Sequence, residues 1–247
     1  MRNMKKILCG LFIVLMLCVV PVAAVSVAAI DNAENGNRPT VLVEYGTGKD
    51  VGLVKVTHIH YAKSVDRVKP AKTDTCYKLT GWKWTVPVTY TIAPNDGAYP
   101  PSLDNPVAEA CDEWDSKTSR QLFYDPVPGE YSAGTARDYK NSVYYGDYVT
   151  DGVIAVTTTW YSRLTRTAVE SDILFDTDFT WGTSGATTVM DVQNIATHEI
   201  GHTLGLDDLY TTSCSAVTMF GYSGYGDTAK RDLAIPDITG LQKLYGV

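Results

Sequence analysis

Beyond about residue 30 the sequence has no long apolar run, so no later segment is a candidate to span a bilayer. It has no basic excess either. Lys and Arg number 21 against 28 Asp and Glu, and Arg2, Lys5 and Lys6 sit at the very start. An acidic chain of this kind is a poor ligand for nucleic acid, which removes that class of partner. Cysteine is scarce, five in 247 residues, and Cys9 and Cys18 fall in the opening segment. The remaining Cys76, Cys111 and Cys214 are too few for a disulfide scaffold and odd in number. Histidine is scarcer still, with four residues. No segment repeats.

What is present begins with "MRNMKKILCGLFIVLMLCVVPVAAVSVAA": a basic start, an apolar run, then Pro21 and small residues. This is the layout of a secretory signal peptide over residues 1–28, with Ala24 or Ala28 as the last residue removed; an uncleaved anchor is the alternative. An exported, acidic chain is expected outside the cell or in the cell envelope, as a monomer touching membrane only through that leader. Val107, Cys111 and Trp114 share one helical face, which predicts a buried thiol at Cys111. Cys76 and Cys214 are then the favoured disulfide.

Residues 29–75 read as a pro-segment or small β-rich addition followed by a linker. They hold strand-like runs at 40–45 and 51–61, and a charged stretch around Pro70. Residues 76–247 read as the main domain. Strands are expected at 83–92, 151–161 and 170–178. A helix is expected at 102–119, capped by Asp104 or Asn105 with Pro106 in its first turn. A second spans 190–205, with Asp191 as N-cap and Gly205 as stop, and a closing helix spans 235–247 with Asp237 as cap.

The stretch "ATHEIGHTLGLDDLY" (196–210) carries the chemistry. Residues four apart share a helix face, so His198 and His202 can each offer a nitrogen to one ion. Zinc accepts imidazole and prefers four ligands. Glu199 stands beside the pair, where a general base for a metal-activated water belongs. A chance HExxH arises on the order of once in a hundred chains of this size. Two histidines leave the site incomplete. Gly205 permits the chain to turn back, and both Asp207 and Asp208 then offer a carboxylate, with the spacing favouring Asp208.

These residues resemble the extended motif HExxHxxGxxH of the metzincin metalloproteases, with Asp208 at the third histidine's place as in snapalysin-type proteases. The wording around it resembles the matrixin branch: "ESDILFDTD" before the motif, "VTMFGYSG" as a Met-turn with Met219, and "DITGLQKLYG" as the closing helix. The resemblance covers roughly 77–247. It implies an α/β fold of the α+β zincin type: a twisted mixed sheet on an active-site helix and a second long helix, zinc in a cleft, Met-turn and C-terminal helix below. It implies a zinc endopeptidase with His198, His202 and Asp208 on the metal, Glu199 as base, Met219 as apolar floor, and a protein or peptide substrate extended along a sheet edge, here sought at 177–188. Tyr222, or Tyr225, is a candidate to reach the metal or an oxyanion.

An aspartate ligand should make the metal a weaker Lewis acid than a third imidazole would. Cys76 is a candidate cysteine switch, but "TDTCYKL" lacks the switch's Arg and Gly neighbours. His58 and His60 share one strand face, where a plain surface or an inhibitory segment is a simpler reading than a metal site. Ca2+ is a second candidate ion, with Asp172, Asp176, Asp178 and Asp191 as oxygen donors. Two rival functions stand beside the endopeptidase: a catalytically weak zinc-binding envelope or adhesion module, and an enzyme acting mainly on its own residues 31–75.

Overall fold

The computed structural model describes residues 27–29, 40–63, 76–93, 101–130 and 136–247. The leader, apart from its last two residues, the polar stretch 31–37 and the linker around Pro70 lie outside the described residues. Among the described residues eleven strands are formed: β1 (Val27–Ala29), β2 (Val41–Tyr45), β3 (Leu53–Ala62), β4 (Tyr90–Ile92), β5 (Val127–Pro128), β6 (Asn141–Gly146), β7 (Val153–Ser162), β8 (Ala168–Asp176), β9 (Trp181–Gly182), β10 (Met190–Asp191) and β11 (Tyr222–Ser223). Three α-helices accompany them among the described residues: α1 (Asp104–Asp115), α2 (Val192–Thr203) and α3 (Ile235–Tyr245).

Nine strands form one mixed sheet in the order β1-β2-β3-β7-β8-β6-β4-β5, with β11 pairing β3 off that path. β7 is rich in Val, Ile, Thr and aromatic residues, and both β7 and β8 are buried on nearly all positions. That composition suits a strand covered on two faces. Helices α1 and α2 pack together, and α2 also lies against β7. The main core joins Trp114 and Val107 of α1, Ile195 and Ile200 of α2, and Ile173 and Phe175 of β8. A second cluster joins Ile59 and Tyr61 of β3 to Val217, Phe220 and Tyr222.

Helix α2 starts and stops where its sequence says it should. The Asp191 carboxylate accepts the Asn194 N–H at 3.0 Å, one of the amide groups a helix start leaves unpaired. Gly205 has φ +96, and a Cβ there would fall 2.3 Å from the Trp82 carbonyl oxygen. Glycine alone tolerates both demands. Indole N–H groups hold the helix from two sides, Trp114 donating to Thr197 O at 2.8 Å and Trp84 to Thr203 O at 2.9 Å.

Several expectations need correction. The strand expected at 83–92 shrinks to Tyr90–Ile92, and Lys83 and Val88 make only isolated bridges. Pro87 has no N–H to give a ladder. The N-cap position of α1 is Leu103, with Ser102 Oγ accepting the Asp104 N–H at 3.3 Å. Asp237 is the third residue of α3, reaching back to the Ala234 N–H at 3.0 Å, so it caps from inside the first turn. Residues 177–188 supply only β9, which pairs with β10 alone. Strand β6 was not anticipated. Cys76 and Cys214 are bonded, and Cys111 is a buried free thiol.

Candidate metal centre and its surroundings

His198 and His202 project from one face of α2, with ring centroids 4.7 Å apart and planes nearly perpendicular. Each is oriented through its Nδ1, which lies 2.7 Å from Thr218 O in His198 and 3.0 Å from Leu206 O in His202. Donation from Nδ1–H to a carbonyl fixes the tautomer and leaves Nε2 as a lone pair, the arrangement metal-binding imidazoles use. Gly205 carries the chain back so that Asp208 meets both rings. Its Oδ1 lies 3.2 Å from His198 Nε2 and 3.5 Å from His202 Nε2.

Those three atoms are buried and make no hydrogen bond. Orphaned buried polar atoms are costly, and three that converge call for a shared partner. Tetrahedral ligation at ~2.0–2.1 Å spaces donor atoms about 3.4 Å apart, so the observed separations suit zinc. Two nitrogens and one carboxylate oxygen also match the donors zinc takes. Asp207 is differently engaged. Its Oδ1 accepts the Asp208 N–H at 2.9 Å, and its Oδ2 pairs with Lys78 at 3.0 Å.

The charges of the cluster's side chains are mutually set. Burial pushes the Asp208 carboxyl up, but the adjoining His202 and His198 outweigh it and hold the group well below the usual carboxylate range. Burial pulls His202 down, yet Asp208 and Glu199 raise it to about 9. Burial and the Lys230 ammonium lower His198 to about 3. The Asp208 carboxylate is thus favoured in its charged form beside the two imidazoles, the form in which it can serve a divalent ion.

Glu199 lies beside this triad, fully buried. Burial lifts its pKa to about 7. Thr157 of β7 donates its hydroxyl to Oε2 at 2.6 Å, and His60 of β3 places Nδ1 3.0 Å from Oε1. Below the triad, Met219 is fully buried and its loop is braced by Asp237, which accepts the N–H groups of Thr218 at 2.9 Å and Met219 at 3.1 Å. The fit under α2 is close. A Cβ at Gly201 would fall 2.2 Å from Met219 Sδ and 2.9 Å from Trp114 Cζ2. Tyr222 belongs to β11, and its ring packs edge-on to Tyr210 and Phe220 in the second core cluster. Tyr225 is half exposed and packs on Phe179.

Four contributors were not singled out for roles in the sequence. They are Thr157, Thr218, Lys230 and, for its brace, Asp237. Lys230 is fully buried, its Nζ 3.2 Å from both His60 Nε2 and His198 Nδ1. Within the strand-like run expected at 51–61, the HIH spacing was the signal that bore on the site: His58 and His60 do share a face, and it is turned onto α2. Cys76 lies in the disulfide, which removes it as a switch thiol. Of the calcium candidates, Asp176 and Asp178 converge with Asp147, their oxygens within 4.8 Å. Asp172 accepts the Ser142 N–H, and Asp191 caps α2 and pairs with Arg231.

The family model described as Matrixin matches residues 81–246, more than half of the chain. Matrilysin of Homo sapiens is 39% identical over 80 residues, covering 32% of this chain and 28% of that protein. Metalloendoproteinase 5-MMP of Arabidopsis thaliana is 47% identical over 60 residues, covering 24% of this chain and 16% of that protein. The chain thus spans less than a third of the length of either curated relative. A mixed sheet with three helices among the described residues, a cluster of two histidines on the expected helix with Asp208 from the turn after it, and a family match across nearly all of residues 76–247 agree: the chain belongs to the matrixin family of zinc metalloendopeptidases.

Proposed function

We propose that this chain is a secreted zinc endopeptidase in which His198, His202 and Asp208 hold the metal and Glu199 is the general base. The observation that carries the reading is the placement of Glu199: an acid buried beside three convergent, unpaired donor atoms, with one oxygen held by Thr157. A metal site serving only as a structural clamp has no use for it. When bound, zinc supplies Lewis acidity, lowering the pKa of water and drawing electron density from a carbonyl oxygen. Glu199 Oε1 takes a proton from the attacking water and delivers it to the leaving amine nitrogen. Thr157 keeps Oε2 fixed so that Oε1 faces the reaction. Met219 and the Asp237 brace keep the two imidazoles in register from below. An extended peptide adds to a strand edge through main-chain hydrogen bonds.

In this reading residues 1–28 are a removed leader, 29–75 a pro-segment and 76–247 the catalytic part, acting on protein or peptide substrates outside the cell. The Cys76–Cys214 disulfide supports export, since such bonds persist in oxidising compartments. The test is Glu199→Ala. It should keep one zinc per chain and lose peptide hydrolysis by on the order of 10²–10⁴-fold. Hydrolysis of casein at the wild-type rate by that variant would refute the mechanism. Zinc binding with no turnover by the wild type in any form would favour the non-catalytic module.

A further inference from the structure

Successive residues of a strand point to opposite faces of the sheet. Thr157 of β7 points to Glu199 on α2, so Val156 and Thr158 point the other way. On that far face lies a cavity of about 510 Å³. Its apolar wall is made by Leu42 of β2, Tyr144 of β6, Tyr148 after β6, Val156 of β7 and Leu174 of β8. Thr57, Thr158 and Asp172 give it a polar floor, and the exposed Asp147 and Val149 stand at its mouth. A cleft of this size, apolar with a few polar groups, suits a small molecule.

Asp172 sets the chemistry of what fits. It is 5% exposed, and its Oδ1 accepts the Ser142 N–H at 2.9 Å. Its Oδ2 has no partner among the described residues, and no Lys, Arg or His there pairs with the carboxylate. Lys55 lines the same cavity but is committed to Glu44 at 2.9 Å. Burial, with Glu170 and Asp138, raises the Asp172 pKa to about 8. A buried acid in this position is short of a cation. A guanidinium would want both carboxylate oxygens, and only one is open. An ammonium needs one, and its other donors can meet the hydroxyls of Thr57 and Thr158, whose oxygens are 3.4 Å apart.

We propose that this cavity binds a small primary amine with an apolar body, its ammonium paired with Asp172 Oδ2 and its body lying among Leu42, Tyr144, Val156 and Leu174. The site is independent of the endopeptidase reading, because its residues face away from α2. Pairing favours the ionised carboxylate, so binding expels the Asp172 proton wherever that group is protonated beforehand. Affinity should therefore rise from about pH 6 to about pH 8, by at least about tenfold, while the amine itself stays charged. Glu44, Lys55 and Asp147 are the other charged groups on the cavity.

The test is calorimetric titration of the full chain, with and without zinc, using hexylammonium, hexanol and hexanoate. Hexylammonium should bind at least about tenfold tighter than hexanol, the margin of a hydrogen bond to a charged group. Hexanoate should bind weakest. Asp172→Asn should remove the preference for the amine and keep hexanol binding. Thr158→Phe, which fills the cavity and leaves the carboxylate in place, should abolish both. Nα-acetyl-lysine methylamide presents the same ammonium on a lysyl stem. It should bind more weakly than hexylammonium, and tighter binding would reassign the site to a protein lysine. Affinity that appears only with zinc would place the amine at the metal donors and overturn the proposal. Equal binding of amine and alcohol would also overturn it, as would no binding of millimolar hexylammonium. Should either variant fail to fold, the pH dependence of the wild type decides: a flat profile between about pH 6 and about pH 8 refutes pairing with Asp172.

Discussion

Thr157 holds Glu199: its hydroxyl, on the strand bordering the cleft, donates to Oε2 of the acid on helix α2 at 2.6 Å. Thr157→Val removes the donor and keeps the branched shape. A hydrogen bond to a charged group is worth about 1.5–3 kcal/mol, so kcat should fall about tenfold or more. Zinc content and KM should stay near wild type, because the metal donors are untouched. Steady-state kinetics beside metal analysis checks this. Loss of zinc in the variant would show that Thr157 supports the fold instead.

Asp208 and Asp207 are neighbours with separable roles. Asp208→Ala removes the oxygen facing both imidazoles and should weaken zinc at least about a hundredfold, beyond what outer-shell changes usually cost. Asp207→Ala breaks the Lys78 pair and a local hydrogen bond but should keep zinc near wild type. Competition with a chromophoric chelator measures both. The opposite ranking would move the third ligand to Asp207.

Asp237 reaches the metal site through the backbone. It accepts the N–H groups of Thr218, Met219 and Ala234, and the Thr218 carbonyl orients His198. Asp237→Ala strands three donors and should cost about 3 kcal/mol or more, with a lower Tm and weaker zinc binding. Asp237→Asn keeps one acceptor oxygen and should fall between. Thermal unfolding with and without excess zinc reads both effects.

Asp172 gives a pH dependence that does not involve the metal. Burial is the main cause, helped by Glu170 and Asp138, and it raises the folded pKa to about 8 from 3.8. A group whose folded pKa exceeds its unfolded one binds its proton more tightly when folded. Its contribution to stability therefore falls as pH rises from about 4 to about 8. Asp172→Asn should flatten that slope in Tm measured across the window. An unchanged slope would show that the carboxylate is ionised at little cost, with the Ser142 N–H sufficing.

The parts of the site legible in the sequence were those set by local spacing. His198, Glu199, His202 and the Gly205 turn follow from helix geometry, and Asp191 from capping chemistry. The disulfide followed from placing Cys111 on the apolar face of a helix, which left Cys76 and Cys214. What escaped was long-range pairing. Register between β3 and β7 joins residues about a hundred positions apart, and nothing within 53–62 names its partner. Alternation showed that His58 and His60 share a face without showing what the face would meet. Lys230 stands in an irregular stretch with no period to mark it as buried. Strand β6, "NSVYYG", is short and looks like a turn until β4 and β8 flank it.

Gly201 carries a consequence for how such a site can change over time. Its hydrogen lies where any methyl would collide with Met219 sulfur and the Trp114 indole. Helix, sulfur loop and α1 therefore stand closer than they could with any other residue at 201. The gap is tuned from both sides: enlarging 201 would demand a smaller partner at 219 or 114 in the same step. Single substitutions at these three positions should be disfavoured where paired ones survive, so the interval within the motif that looks most permissive is among its least free.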